Sequence, residues 1–365
     1  MAGNLEWEIA TMREQMTQIA TPRKFPMRKP DNHQPVIQRY SSQVSEDVSS
    51  IRVATLGFQG KAGPRDNLTA FLDFIDNAFA KIGKPNHHDI ANFVDTQGYS
   101  TAMAVCYWLD EDDYSAWLEK FDLWWGAHDP EALENGLWFE SFSVPPPYRE
   151  TNLFQEYLRG VSACPMTRIE PMSESGYWGA ARDRFSASAH DDFSPEQNVE
   201  LQYDPHRDTL RKHIKVSDIP SQLCVIRSGV TWANCGEEQL ESYETNLKPK
   251  LDKGMTYLRE NPVDTGCCSL RQVTCLEADG SAQEEAYSLG IFLTYRHLER
   301  WAHDHPTHLA IYTRALAERK KYQENLELLT YHEICVLNED VRFEYINCHP
   351  DTGLLPYFTN NAADQ

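Results

Sequence analysis

Gly98-Tyr-Ser-Thr-Ala-Met-Ala-Val-Cys-Tyr-Trp108 is an apolar run of strand length, and Asp110-Glu-Asp-Asp113 then opens a helix carrying Tyr114, Trp117, Leu118 and Phe121. Carboxylates suit that position because the free N–H groups of a helix start carry partial positive charge. The same order returns about 180 residues later, where Ala286-Tyr-Ser-Leu-Gly-Ile-Phe-Leu-Thr-Tyr295 reads as a strand and His297 to His303 as a short helix containing Trp301. Outward from the first copy, Ile51 to Gly60 alternates as a strand. Leu68, Phe71, Leu72, Ile75 and Phe79 recur at helical spacing over residues 67–82. Leu137 to Val144 is a further strand, closed by three prolines. Around the second copy stand a strand from Leu223 to Gly229, a helix over 237–258, a strand from Cys267 to Thr274 and a closing strand from Thr330 to Leu337. The repeat predicts an internal duplication of a ferredoxin-like unit. Such α+β units cover one sheet face with helices, and two of them can pack open face to open face around a cavity.

This reading divides the chain into an N-terminal arm with one short helix (1–45), a first half (46–150), a connecting segment (151–214), a second half (215–356) and a tail (357–365). The formal charge of −21 repels phosphate backbones and anionic lipid, which argues against nucleic acid and membrane surfaces as partners. No apolar run approaches the ~20 residues that span a bilayer. The start of the chain carries no basic and apolar leader, and nine irregularly spaced cysteines fit a reducing cytoplasm better than a disulfide framework.

Histidines carry the chemical signal. Trp301-Ala-His303-Asp-His305-Pro-Thr-His308-Leu309 crowds three of them around a proline, and His332 stands apart in a strand between Tyr331 and Glu333. Asp304 or His305 can cap the helix that Pro306 begins. His308, Tyr312 and Ala315 then share one face. No second ligand sits at zinc-like spacing, whereas a haem needs one imidazole and an aromatic-rich pocket. A helical or strand histidine is most often simply packed, so spacing alone leaves both roles open. Arg182-Asp-Arg184 reads by pattern as a surface ion pair, and Ser228-Gly229 as turn chemistry at a strand end. Neither a hydrolase elbow nor a phosphate-cradling glycine loop is present.

Five motifs in order change the weighting: Gly176-Tyr-Trp-Gly-x-x-Arg-Asp-Arg-Phe185, Ile226-Arg-Ser-Gly229, Glu299-Arg-Trp-Ala-x-x-His-Pro-Thr-His-Leu309, Tyr331-His-Glu333 and Phe343-Glu-Tyr-Ile-Asn-Cys-His-Pro-x-Thr-Gly353. From about residue 45 to residue 356 the chain resembles the haem-containing aldoxime dehydratases. The resemblance implies a dimeric α+β barrel of two ferredoxin-like halves and a homodimer. It implies haem b, active when ferrous, held by His308, with a flavin as a conceivable external electron donor. The implied reaction takes water from R–CH=N–OH to give a nitrile, with the oxime nitrogen bound to ferrous haem and the hydroxyl protonated by a distal His332. Arg184 and Ser228 match the residues that hold that hydroxyl. Two departures stand out: the family's glutamate near 139–142 aligns with Ser141, beside Glu140, and Lys320 to Glu324 bulges the connecting helix. The rivals are a peroxidase-like haem enzyme of the same barrel class, a haem-binding sensor without turnover, and a haem-free module.

Overall fold

The computed structural model describes residues 22–61, 63–195, 199–337, 340–358 and 360–362. The first half runs β2 (Ile51–Gly60), α1 (Pro64–Ile82), β3 (His87–Val94), β4 (Ser100–Trp108), α2 (Glu111–Trp125) and β5 (Gly136–Val144). The second runs β9 (Cys224–Thr231), α4 (Glu237–Ser242), a π turn (Tyr243–Leu247), α5 (Lys248–Glu260), α6 (Pro262–Thr265), β10 (Cys267–Leu276), β11 (Ala282–Phe292), α7 (Tyr295–Asp304), α8 (Pro306–Tyr322) and β12 (Leu329–Val336). Within one twelve-stranded sheet the order β5-β2-β4-β3 meets β10-β11-β9-β12. The second block is the first in mirrored order, joined where the antiparallel β3 and β10 pair Asn92 with Thr274. Each half is thus a ferredoxin-like βαββαβ unit, and the α+β barrel is their duplication.

Strand alternation assigns the layers, because successive side chains point to opposite faces. The inner faces meet in one core that joins Val53, Val105, Trp138 and Phe142 to Val225, Leu289, Ile291 and Cys335. The outer face of the first half buries Ala54, Leu56, Phe58 and Phe139 against Phe71, Trp117 and Phe121 of α1 and α2. Asp110 caps α2 by accepting the Asp113 N–H at 2.9 Å, as its acidic start predicts. A smaller outer core lies in the second half, around Leu258, Phe292, Tyr295, Leu298 and Ile334.

Additional strands extend the sheet: β8 (His213–Val216), β13 (Arg342–Ile346) and β14 (Asn360–Ala362) beyond β5, and β6 (Arg149–Asn152) beyond β12. β1 (Arg39–Val44) pairs with β7 (Thr167–Met172) in a separate two-stranded sheet. Residues 22–38 hold no helix, and residues 1–21, the remaining place for the arm's expected short helix, lie outside the described residues.

Several boundaries differ from the sequence reading. β11 ends at Phe292 because Thr294 caps α7, accepting the His297 N–H, so Tyr295 begins a helix. β9 runs through Gly229 to Thr231, so Ser228-Gly229 is strand and not turn. Gly229 is required there: a Cβ on it would lie 2.2 Å from Cε1 of Tyr331 on the neighbouring strand. The helix expected over 237–258 is interrupted by the π turn before Pro249, a residue without an N–H to donate. α8 is unbroken to Tyr322 and ends where Gln323 takes a φ of 50°, so Lys320 to Glu324 forms a helix end, not a bulge. Among the described residues no helix is long and apolar enough to cross a membrane.

Candidate active site

The outer face of β9 and β12 meets α5, α7 and α8 across a cavity of about 1690 Å³. Apolar side chains line much of it, among them Leu251, Met255, Leu258, Leu270, Ile311 and Ala315. Polar groups enter from two walls, one helical and one of strands.

The helical wall carries His308. α8 starts with Pro306 at its first position, and His305 caps it with a side chain that accepts the Thr307 N–H. Asp304, the other possible cap, belongs to the end of α7. His308, Tyr312 and Ala315 all line the cavity, as their shared face predicts. The His308 ring packs edge-on against Trp301 with centroids 4.8 Å apart. Burial holds its pKa down to about 4, so the imidazole is neutral at pH 7. Its Nδ1 is buried, and the Ala302 backbone, which raises the ring's pKa against that burial, is the polar group it has nearby. A neutral imidazole on a rigid helix start, facing an apolar cavity, suits a planar macrocycle that brings its own four nitrogens and needs one axial ligand. Among the described residues no group of three or more His, Cys, Asp or Glu side chains could hold a bare metal ion. His303, by contrast, sits at the cavity mouth, exposed and within 2.5 Å of Asp304.

The strand wall carries His332 and Ser228. β9 and β12 are antiparallel and pair these two residues directly, so both point to the outer face. Cross-strand partners have Cβ atoms roughly 5 Å apart. Arg184 reaches the same point from α3 (Ala180–Arg184): its Nη2 lies 2.7 Å from His332 Nε2. Its Nε donates to Glu150 Oε2 at 2.5 Å and its Nη1 to the Glu174 carbonyl at 2.7 Å. Glu150 Oε1 lies 3.0 Å from the same His332 nitrogen. Arg184 and Glu150 are 4% and 0% exposed, whereas His332, though deep in the molecule, keeps 26% of its side chain open to the cavity.

Three groups therefore meet at one ring nitrogen. Burial raises Glu150, yet Arg184 and His332 draw it down to about 2, so it is a carboxylate. Burial lowers His332; Glu150 pulls it back up, and Arg184 and Arg39 push it down again. Two neutral forms of the ring are open: with Nε2 bare it accepts from Arg184, since a guanidinium can only donate, and with Nε2–H directed to Glu150 it leaves Nδ1 bare. When charged, the ring can direct Nε2–H to Glu150. Nδ1 takes no protein partner among the described residues and is the nitrogen left for a ligand.

The sequence reading placed Arg182-Asp-Arg184 on the surface, and the structure overturns this. Arg182 pairs with Glu299 at 2.5 Å, and Asp183 accepts Tyr177 O–H and Arg28 N–H at 2.7 and 2.9 Å. Those bonds pin the segment from which Arg184 turns inward. Glu150 was missed. The acid sought near 139–142 does not reach the cavity: Glu140 lies in the barrel interior, where Arg271 grips both its oxygens at 2.6 Å. Ser141 sits on the outer face of the first half. Only the prolines of Pro145-Pro-Pro147 could have pointed to Glu150, since they end β5 and restart the chain as the four-residue β6.

The family model of haem-containing dehydratases matches residues 54–354. The chain is 33% identical to a phenylacetaldoxime dehydratase of Bacillus sp. (strain OxB-1), over 90% of this chain and 94% of that protein. It is 32% identical to an aliphatic aldoxime dehydratase of Pseudomonas chlororaphis, over 93% and 96%. Among solved structures it is similar to an aldoxime dehydratase in complex with butyraldoxime, with a TM-score of 0.82 at 30% identity over 93% of this chain and 94% of that one.

Proposed function

The chain belongs to the haem-containing dehydratase family, and from that premise we propose that it is a lyase that dehydrates aldoximes to nitriles in the cavity between β9, β12 and α8. Its cofactor is haem, which the His308 imidazole would hold. When bound, ferrous haem supplies a Lewis acid for the oxime nitrogen and electron density for the N–O bond.

The chain's own residues manage the protons. Hydroxide leaves poorly, so the oxime hydroxyl must depart as water. His332 in its charged form donates from Nδ1 to that hydroxyl, while Nε2–H rests on Glu150. Ser228, directly across the strand pair, donates a hydrogen bond to the same oxygen. Arg184 fixes the position of His332 and Glu150 and keeps a cation beside the oxygen as charge builds there. Once neutral at Nδ1, His332 takes the carbon-bound proton, the C≡N bond completes, and the proton count of the enzyme is restored.

The single observation that carries this reading is the buried Arg184–Glu150 pair converging on one nitrogen of a cavity-facing histidine. The test is a spectrum of the dithionite-reduced protein before and after anaerobic addition of phenylacetaldoxime, with nitrile assayed in the same tube. A Soret band that shifts and returns as nitrile forms is the expected result. A stable haem band without nitrile, from this substrate and from butyraldoxime, would overturn it in favour of a sensor or a peroxidase-like enzyme.

We also read the protein as cytoplasmic, since all nine cysteines are unpaired. The family resemblance implies a homodimer, for which light scattering should return twice the 42.0 kDa chain mass.

A further inference from the structure

The cavity contains a patch whose charge is opposite to that of the chain. Arg39 of β1 is 2% exposed. It donates to Asn152 Oδ1 at 2.5 Å, to the Asn152 carbonyl at 3.0 Å and to the Thr330 carbonyl at 2.7 Å, all neutral acceptors. Its guanidinium lies over the Phe154 ring, 4.0 Å from the centroid, and Nη1 is buried with no acceptor. Arg319 stands on the His308 face of α8, three turns further along, and reaches across to β12. Its recorded contact there is a long 3.4 Å bond to Thr330 Oγ1.

Neither arginine has a carboxylate within ion-pair distance among the described residues; the exposed Glu156 acts on Arg39 only from further off. Buried arginines elsewhere on this wall do have one: Arg184 has Glu150 and Arg182 has Glu299. Arg39 also feels the charge of Arg319. Burial lowers Arg39 first, then Arg319 and Arg184 lower it further against a smaller opposing pull from Glu156; burial lowers Arg319, Tyr312 raises it and Arg184 lowers it again. Buried cations gathered with no acid in contact call for another group to complete them.

We propose that Arg39 and Arg319 form a carboxylate-binding subsite at the Thr330 end of the cavity. A planar guanidinium matches a carboxylate in shape as well as charge, and Arg39 Nη1 and the loosely held Arg319 head are the free donors. Thr330 lies two residues from His332 on the same strand face, roughly 7 Å away by strand geometry. A short aldoxime bound at His332 could therefore place a terminal carboxylate at this subsite. The other source of the same group is a propionate of the haem. The substrate arm rests on the dehydratase reading above; the haem arm does not.

The test uses haem-loaded wild type, Arg319→Gln and Arg319→Lys. Arg319 is chosen because its single long bond makes its loss easy for the fold to tolerate. Each protein is given an aldoxime ending in a carboxylate and the methyl ester of the same aldoxime. Each is also reconstituted with haem and with haem dimethyl ester, and transfer to apomyoglobin is followed by the Soret band. If the substrate supplies the carboxylate, wild type favours the acid over the ester at least tenfold in kcat/KM. Arg319→Gln then brings the ratio near one through KM, Arg319→Lys restores part of it, and haem transfer stays as in wild type. If a propionate supplies it, Arg319→Gln releases haem at least tenfold faster than wild type, while the dimethyl ester leaves both at one rate. Equal acid-to-ester ratios in all three proteins, together with equal release of both haems, would overturn the subsite. No nitrile from either aldoxime in wild type would sink the dehydratase reading and leave the haem arm to decide the subsite.

Discussion

The two halves of the barrel put different residues at matching positions. In the first half Gly57 pairs with Trp138 and, one step along, Leu56 with Phe139. In the second Gly229 pairs with Tyr331 and, one step along, Ser228 with His332. The glycine–aromatic pair faces the barrel interior in both and packs the same way. The outer pair diverges. Leu56 and Phe139 are fully buried, and the Phe139 ring lies 4.2 Å from Phe121 of α2. Ser228 and His332 open onto a cavity, and the helices facing them offer His308 in place of Phe121 and Trp117. One duplicated scaffold thus became a packed wall on one side and a reaction chamber on the other. The cost of the chamber is concentrated in buried charge. The first half's outer core is almost wholly apolar, whereas the second holds Glu150, Arg184, Arg39 and Arg319 around a single histidine.

The largest expected effect comes from removing what makes the helical wall distinctive. His308→Ala should lose haem, read as the absence of a Soret band in protein whose circular dichroism is unchanged. A normal haem complement would move the ligand to His305, whose ring now stacks on Tyr257 at 4.0 Å and caps the helix. His332→Phe installs the first half's residue in the second. Haem should remain and turnover should fall by about 10²–10⁴, the usual worth of a positioned acid–base group; a variant retaining more than a tenth of wild-type kcat would remove His332 from the chemistry. Ser228→Ala should cost about 10²-fold in kcat, as for one lost donor to a developing charge, with KM nearly unchanged.

A smaller and more diagnostic change comes from Glu150→Gln. The acid form of His332 exists below its pKa, which burial, Arg184 and Arg39 lower and Glu150 raises. Rate should therefore decline as pH rises through that value, and loss of the Glu150 charge should move the decline to lower pH. A pH profile of kcat whose falling limb stays in place would show that Glu150 does not tune His332. Glu150 also links pH to stability. Its folded pKa of about 2 lies below the value of an unfolded glutamate, near 4.5. The stability it contributes is present above that unfolded value and is lost as pH falls toward 2.

Much of this comparison was legible in the chain. The runs Tyr99 to Trp108 and Tyr287 to Phe292 are apolar enough to announce central strands, and the Asp110 cap and the Pro306 start fix two helices, so the duplication could be read from pattern. His308 and His332 were visible as unusual residues, but spacing left a packed role and a chemical one both open; the motif resemblance supplied the rest. Glu150 was invisible because it owes its place to long-range pairing: β6 is four residues long, shows no clean alternation, and joins the sheet only through β12. The inward turn of Arg184 was hidden for a similar reason. Its neighbour Asp183 looks like its partner in sequence but is engaged by Tyr177 and the Arg28 backbone, which lie in other segments.

The smallest expected effect separates the shared part of the two halves from the part that diverged. A Cβ on Gly57 would lie 1.7 Å from Trp138 Cε2, and one on Gly229 2.2 Å from Tyr331 Cε1. Both rings are fully buried and cannot swing away, so Gly57→Ala and Gly229→Ala should each destabilise the protein by about 1–3 kcal/mol through overpacking. Thermal melts of the two haem-loaded variants should look alike. Their turnover should not. Gly229 follows Ser228 on β9, and Tyr331 precedes His332 on β12, so a shift that relieves the clash must move both functional side chains relative to each other. Gly57→Ala relieves its clash beside Leu56 and Phe139, which do no chemistry, and should keep wild-type kcat per folded molecule. Equal kcat in the two variants would mean that the strand pair carrying Ser228 and His332 absorbs the displacement without passing it to the site, and that the exact cross-strand register is less important to the reaction than the Arg184–Glu150 clamp.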